Sequence, residues 1–187
     1  MTVWWITLAS SYLLCLIAGM NAKTAYVNGF CVKKYNKFFS AMAALILILV
    51  AGLRNGIGDT ATYMEGFRSD APSTISGCIK LLFSGKKDVG FYFYQGIVKT
   101  IKNDPNVFIF VTSLITILLI FITYYKYSQL LELSIFLFIT TGCYLVTMNG
   151  IRQYLASAIL FFCFPLIHQR KWQIYVPVVL VCSTIHK

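Results

Sequence analysis

Long apolar stretches with few charges are the feature that most constrains this chain. Only 12% of its 187 residues are charged and 58% are hydrophobic, whereas about a quarter of the residues in soluble domains are charged. A helix that crosses a bilayer needs about 20 mostly apolar residues. Six segments approach that length and composition, and we predict each of them to be a membrane span: residues 3–19, 38–53, 106–125, 130–148, 151–167 and 173–187.

These segments predict an all-α integral membrane protein, a polytopic helical bundle that forms a single domain over residues 1–187. A cleaved signal peptide is not expected, because no basic residue precedes the first apolar segment and the first lysine is Lys23. The sixth segment stops at "STIHK", inside a span. We therefore expect the chain to be the N-terminal part of a longer protein or a truncated product.

The basic residues predict the orientation of the bundle. The chain has 16 Lys and Arg against 6 Asp and Glu. Residues 20–37, 126–129 and 168–172 carry basic residues and no acid, and they fall on one side if the spans alternate. Because cytoplasmic loops are enriched in Lys and Arg, this side is predicted to be cytoplasmic and the N-terminus to be outside. Such an excess favours contact with anionic lipids over nucleic acid, and we expect no nucleic-acid partner.

Residues 54–105 are predicted to form a long extracytoplasmic segment. It is rich in Phe and Tyr, which suit the headgroup region of a membrane. We predict two or three short amphipathic helices that lie at the interface and are broken near Ala71–Pro72 and Ser84–Gly85. The aromatic side chains are interpreted first as membrane anchors, with a stacking platform for sugar rings as the alternative.

Ionisable residues lie where the predicted spans meet the outer face. Arg54 ends the second span and Arg152 begins the fifth, after an Asn-Gly turn. Asp59 follows in "RNGIGDT", and His186 lies near the outer end of the sixth span. Each has a simple structural explanation as an interface anchor, a helix cap or a hydrogen-bonded histidine.

Their shared membrane side favours a different interpretation, an anion site. The guanidinium of arginine matches phosphate oxygens, and a helix N-terminus such as that at Arg152 attracts anions. Arg54 and Arg152 near the headgroup plane are suited to a pyrophosphate carried on a lipid. Asp59 would repel this group, so its predicted role is to orient an arginine or to accept a hydrogen bond from a sugar hydroxyl.

The same residues resemble the EpsG family of bacterial exopolysaccharide polymerases, which is related in role to the Wzy-type O-antigen polymerases. "GLRNGIGDTATYMEGF" followed by "NGIRQYLASAILFF" and an outer-face "IH" carries the resemblance. The residues that match the family pattern are Arg54, Gly58, Asp59, Tyr63, Arg152, Gln153, Ala156 and His186.

The resemblance implies an enzyme of exopolysaccharide or capsule biosynthesis in the bacterial cytoplasmic membrane. Such an enzyme joins lipid-linked repeat units by glycosyl transfer at the outer face, with undecaprenyl pyrophosphate as the leaving group. The implied partners are the undecaprenyl-pyrophosphate-linked oligosaccharide, membrane lipids and other polysaccharide export proteins. The implied catalytic residues are Arg54, Asp59, Arg152 and His186, and the implied substrate-binding residues are Gly58, Tyr63 and Gln153.

No metal or cofactor is expected. The six cysteines and two histidines show no ligand spacing, and no D-x-D motif is present. Two alternatives to the polymerase stay open: a flippase or transporter of lipid-linked oligosaccharides without chemistry, and an inactive truncated remnant. Transporters place ionisable groups near the midplane of the bilayer, whereas this chain gathers them at one face, which favours the enzyme.

Overall fold

The structure, a computed structural model, describes residues 2–27, 30–85 and 87–186. Within these ranges the chain forms eleven helices and one antiparallel β-hairpin. In chain order the elements are α1 (Thr2–Gly19), β1 (Lys23–Val27), β2 (Phe30–Lys34), α2 (Lys37–Gly52), α3 (Thr60–Ser69), α4 (Ile75–Leu82), α5 (Val89–Ile101), α6 (Pro105–Tyr127), α7 (Leu131–Thr140), α8 (Cys143–Asn149), α9 (Ile151–Cys163), α10 (Pro165–His168) and α11 (Trp172–Ile185).

Polar side chains define where the two central helices begin. Asn36 accepts a hydrogen bond from the backbone N–H of Phe38 at the start of α2, at 2.9 Å. Asp104 does the same for the N–H of Asn106 at the start of α6, also at 2.9 Å. Each bond satisfies one of the N–H groups that a helix leaves without an internal partner. Pro105 occupies the first turn of α6, where its missing N–H costs nothing.

Among the described residues, three helical stretches are long and apolar enough to cross a membrane: α1, α6 and residues 151–168, which α9 and α10 form together. The pair α7 and α8 counts as a fourth if a bent pair is one span, because the two helices meet at 56°. The apolar helices α2 and α11 are shorter, at 16 and 14 residues. The predicted helical membrane protein is therefore confirmed, whereas a count of six full-length spans is not.

The predicted fourth span, residues 130–148, corresponds to two helices joined at a bend and not to one continuous helix. Gly142 has a φ of +83° and separates α7 from α8. Glycine adopts this left-handed conformation without the steric cost that a side chain brings. The chain therefore turns at residue 142. After this turn, the single residue Gly150 connects α8 to α9.

The predicted basic loop at residues 20–37 contains a hairpin that the sequence analysis missed. Lys23 pairs with Lys34 at one end of the ladder and Val27 pairs with Phe30 at the other. The ring of Phe30 lies 5.7 Å from that of Tyr127 and 4.6 Å from that of His168. The hairpin therefore packs where α6 and α10 end, which is the end of α9 and α10 opposite to Arg152.

Two hydrophobic clusters form the core, and α6 contributes to both. The first cluster joins α1, α2, α6, α7 and α8 and includes Leu47, Ile117, Ile135 and Tyr144. The second joins α3, α5, α6, α9 and α11 and includes Phe67, Phe91, Phe108 and Leu155. The segment at residues 54–105 is therefore folded onto the bundle and not loosely attached to it.

The prediction of short helices between residues 54 and 105 is confirmed. The segment holds α3, α4 and α5, with breaks at residues 70–74 and 83–88. Proline at position 72 and glycine at position 85 stand in these breaks, as their poor fit to helix interiors predicts. The position of this segment at an outer membrane interface stays a prediction.

Candidate functional site

The loop between α2 and α3 docks on the turn between α8 and α9. Gly58 has a φ of +54°, and a Cβ atom at this position would overlap the side chain of Asn149. The Oδ1 atom of Asn149 accepts a hydrogen bond from the backbone N–H of Asp59 at 3.0 Å. Glycine is therefore required both by the backbone conformation and by the close approach of Asn149. This contact joins the two motifs that lie about ninety residues apart in the sequence.

Arg54 lies inside the bundle, with only 6% of its surface exposed. Its Nε atom donates to Thr60 Oγ1 at 3.1 Å. Its Nη1 atom donates to the carbonyl of Ala51 and, at 2.7 Å, to Ser113 Oγ. Its Nη2 atom donates to the carbonyl of Met148 at 3.2 Å.

The guanidinium of Arg54 thus ties α2, α3, α6 and α8 together. Burial lowers the pKa of Arg54 to about 10, so the side chain stays protonated at neutral pH. It is not an anchor that extends into lipid, the simple explanation that the sequence offered. Its predicted role in catalysis stays a prediction, and the contacts give it a structural role as well.

Arg152 lies in the first turn of α9, as predicted, and its side chain is 34% exposed. Its Nη1 atom lies 2.9 Å from Asp88 Oδ2, in an ion pair whose acidic side chain is only 7% exposed. The Cζ atom of Arg152 lies 5.8 Å from the ring centroid of Tyr63 and 5.9 Å from that of Phe91. These distances allow cation–π attraction. The guanidinium is therefore held in place and still reachable from solvent.

A pocket of about 320 Å³ opens beside Arg152, between α3 and α5. We call it the Arg152 pocket. Its wall combines aromatic rings, carboxylates and one amide, supplied by Tyr63, Phe91, Tyr92, Glu65, Asp70 and Gln95. Small-molecule sites commonly combine apolar walls with a few polar groups in this way.

Polar contacts hold the two walls of the Arg152 pocket in register. The Nζ atom of Lys99 in α5 donates to the carbonyls of Phe67, Arg68 and Ala71, at 2.8 to 3.0 Å. A cation at the C-terminal end of a helix also meets the negative end of the helix dipole, here that of α3. The hydroxyl groups of Tyr94 and Thr112 lie 2.9 Å apart and join α5 to α6.

The structure brings most of the predicted site residues to one end of the bundle, but it does not bring all of them into the pocket. Asp59 is exposed and occupies the N-cap position of α3 without a side-chain capping bond. Gln153 is exposed beside Arg152. His186 is exposed at the end of α11. A Cβ atom on Gly90 would meet Thr184, so this end of α11 adjoins the start of α5 and hence Asp88.

Two residues of the pocket region, Asp88 and Gln95, have no role predicted from the sequence. Asp88 adopts a left-handed conformation, with a φ of 55°, at the N-cap position of α5. The local sequence signal for Asp88 is its place directly before the aromatic run "VGFYFYQG". No local signal indicates that Asp88 pairs with Arg152, which lies 64 positions away. The predicted orienting acid for an arginine was Asp59, but the acid paired with Arg152 is Asp88.

Comparison with known proteins identifies one family. The model of the EpsG family matches residues 37–187, from the first residue of α2 onward. Every candidate site residue named above lies in the matched region. No curated protein and no solved structure matches the chain.

Proposed function

This chain belongs to the EpsG family, and from that membership we propose that it polymerises lipid-linked polysaccharide repeat units. The proposed reaction is glycosyl transfer at the outer face of the bacterial cytoplasmic membrane. The donor is a growing chain on undecaprenyl pyrophosphate, and the acceptor is a hydroxyl group of the next lipid-linked unit. The product serves exopolysaccharide or capsule formation.

The observation that carries the proposal is the placement of Arg152. Its guanidinium is about one-third exposed, paired with a buried carboxylate and bordered by a pocket with aromatic walls. It also lies in the first turn of a helix that has no side-chain cap, where backbone N–H groups attract anions. This combination suits a phosphate joined to a sugar, because the positive charge of the guanidinium lies next to the aromatic rings of the pocket.

In the proposed reaction, the bond between the anomeric carbon of the donor and the phosphate oxygen breaks. The electron pair leaves with the lipid pyrophosphate, and the acceptor oxygen forms the new glycosidic bond. Arg152 neutralises the negative charge that develops on the departing phosphate. Electrostatic stabilisation of this kind is usually the largest single contribution to catalysis. The proton of the acceptor hydroxyl passes to a general base.

Asp59 and His186 are the proposed candidates for that base. Both side chains are exposed at the same end of the bundle as Arg152. Among the described residues, the Asp59 carboxylate makes no hydrogen bond or ion pair, which leaves it available to a substrate hydroxyl. Tyr63 and Gln153 are proposed to contact the substrate from α3 and α9, and Gly58 is proposed to shape the loop that carries Asp59.

Arg54 is proposed to be a positioning residue, which holds the elements of the same site in place. Its hydrogen bonds to Met148 and Thr60 fix the end of α8 and the start of α3, the elements that lead into Arg152 and Tyr63. Four of its five N–H groups already have protein acceptors, since Ala51 and Ser113 share Nη1. Arg152, and not Arg54, is therefore proposed as the arginine that touches the phosphates.

The test uses cells whose polysaccharide depends on this protein. Arg152→Ala is expected to shorten the polymer and to accumulate single lipid-linked units on the outer leaflet, because loss of one fixed donor costs about 10²- to 10³-fold in rate. Arg68→Ala is the matched control, since the Arg68 side chain is exposed and, among the residues described, pairs with Glu65 alone. Normal polymer from Arg152→Ala would refute the proposed site, and units retained on the inner leaflet would indicate a flippase.

A further inference from the structure

The Arg152 pocket contains a buried acceptor that the proposed chemistry does not use. Gln95 is 2% exposed and lines the pocket. Among the residues that the structure describes, its Oε1 atom has no hydrogen-bond partner. An unpaired buried acceptor carries a free-energy penalty, so such atoms are rare in folded proteins, and each one calls for a donor from water, an ion or a bound molecule.

The surroundings of Gln95 indicate which ligand would supply the missing donor. Phe91 is buried in the pocket wall, and Tyr63 packs against it with a ring-centroid distance of 6.0 Å. Carboxylates of Glu65 and Asp70 lie at the same pocket. Aromatic faces beside hydrogen-bond acceptors fit a pyranose ring, which has C–H groups on its faces and hydroxyl groups around its edge.

We propose that the Arg152 pocket is the sugar subsite of this protein, in which Gln95 Oε1 accepts a hydrogen bond from a pyranose hydroxyl. The sugar ring lies against Tyr63, which packs on the buried Phe91, with its pyrophosphate on Arg152. This inference rests on the proposed function, and it assigns the substrate class and a specificity residue to the α3–α5 side of the site.

Gly66 offers a way to close this subsite without disturbing the fold. It lies in α3 and lines the pocket, and a Cβ atom at this position would have no atom of the described residues within 4 Å outside its own helix backbone. A side chain at Gly66 therefore extends into the open pocket. Leucine also has a much higher helix propensity than glycine, so Gly66→Leu is expected to keep α3 folded. Ala61→Leu, at an exposed position of α3 outside the pocket, is the matched control.

The experiment measures the binding of two probes to the purified protein in lipid nanodiscs. One probe is the repeat-unit oligosaccharide released from its lipid by mild acid, and the other is farnesyl pyrophosphate, which carries no sugar. Gly66→Leu is expected to abolish oligosaccharide binding, and Gln95→Leu to weaken it about tenfold, the effect of one hydrogen bond. Both variants are expected to bind farnesyl pyrophosphate as the wild type does, and Ala61→Leu to bind both probes normally.

Thermal unfolding separates a binding role for Gln95 from a structural one. Because Oε1 has no partner among the described residues, Gln95→Leu is expected to leave the melting temperature unchanged or to raise it while oligosaccharide binding falls. A lower melting temperature, or an oligosaccharide affinity that neither Gly66→Leu nor Gln95→Leu changes, would overturn the sugar subsite. If the wild type binds farnesyl pyrophosphate and Arg152→Ala weakens this binding, the proposed function survives even where the sugar subsite is overturned. Failure of the wild type to bind either probe would overturn both proposals.

Discussion

Replacement of Arg54 by methionine tests the hydrogen-bond network that positions the site. Methionine keeps most of the apolar stem and removes the guanidinium, so the carbonyl of Met148 loses its donor from Arg54, while the carbonyl of Ala51 keeps the hydrogen bond from Ser113 Oγ at 3.3 Å. Hydrogen bonds to charged groups contribute about 1.5 to 3 kcal/mol each, while removal of a buried charge recovers several kcal/mol of desolvation. We expect a net loss of about 3 kcal/mol of unfolding free energy.

For a chain of this size, about 3 kcal/mol corresponds to a melting temperature lower by roughly 6 to 12 °C. The assay is thermal unfolding in nanodiscs, with Arg68→Met as the control. The side chain of Arg68 is 59% exposed, so this control is expected to change the stability by less than about 0.5 kcal/mol. If Arg54→Met unfolds at the wild-type temperature, the guanidinium does not hold these helices together and the positioning role is refuted.

Three further substitutions test the contacts around the site. Gly58→Ala is expected to lower the melting temperature by several degrees, because the left-handed backbone and the contact with Asn149 both oppose a methyl group. An unchanged melting temperature would contradict this expectation. Asp88→Asn is expected to reduce polymerisation about tenfold by freeing Arg152, with no further loss when it is added to Arg152→Ala. Lys99→Met is expected to weaken oligosaccharide binding, since the contacts from α5 to the end of α3 are lost; undiminished affinity would show that they do not shape the pocket.

Local sequence signals were sufficient to predict most of the helices. Apolar runs of suitable length mark α1 and α6, and the predicted bounds agree with the observed ones within two residues. Breaks at proline and glycine mark α3, α4 and α5. These features depend on neighbouring residues alone, which is why composition and spacing reveal them.

The bend at Gly142 and the hairpin were missed for different reasons. A glycine inside an apolar run is common in membrane helices, so its sequence context does not show that the chain turns there. The dipeptide Asn28–Gly29 between two lysine-containing strands is a hairpin signal in the sequence, but the charge of this segment was interpreted only as a topology signal. Both errors come from treating one property of a segment as sufficient.

The relative positions of the candidate site residues were predicted in part. The loop with Gly58 and Asp59 and the helix start at Arg152 do lie together, as a shared end of the bundle requires. The partners of the two arginines lie 64 positions away in the sequence for Arg152 with Asp88 and 59 positions away for Arg54 with Ser113. No periodicity or local motif in the sequence indicates such distant contacts. That Arg54 is buried and Arg152 is accessible is therefore visible only in the folded chain.

The side of the membrane on which Arg152 lies decides whether this residue can meet the proposed substrate, and cysteine labelling measures it. In a variant without the native cysteines, Gln153→Cys reports the position next to Arg152, and Lys34→Cys reports the hairpin at the other end of the bundle; both positions are exposed. A membrane-impermeant maleimide added to intact cells is predicted to label the cysteine at position 153 and to label position 34 only after permeabilisation. Labelling of position 34 alone would place Arg152 in the cytoplasm, away from the proposed substrate.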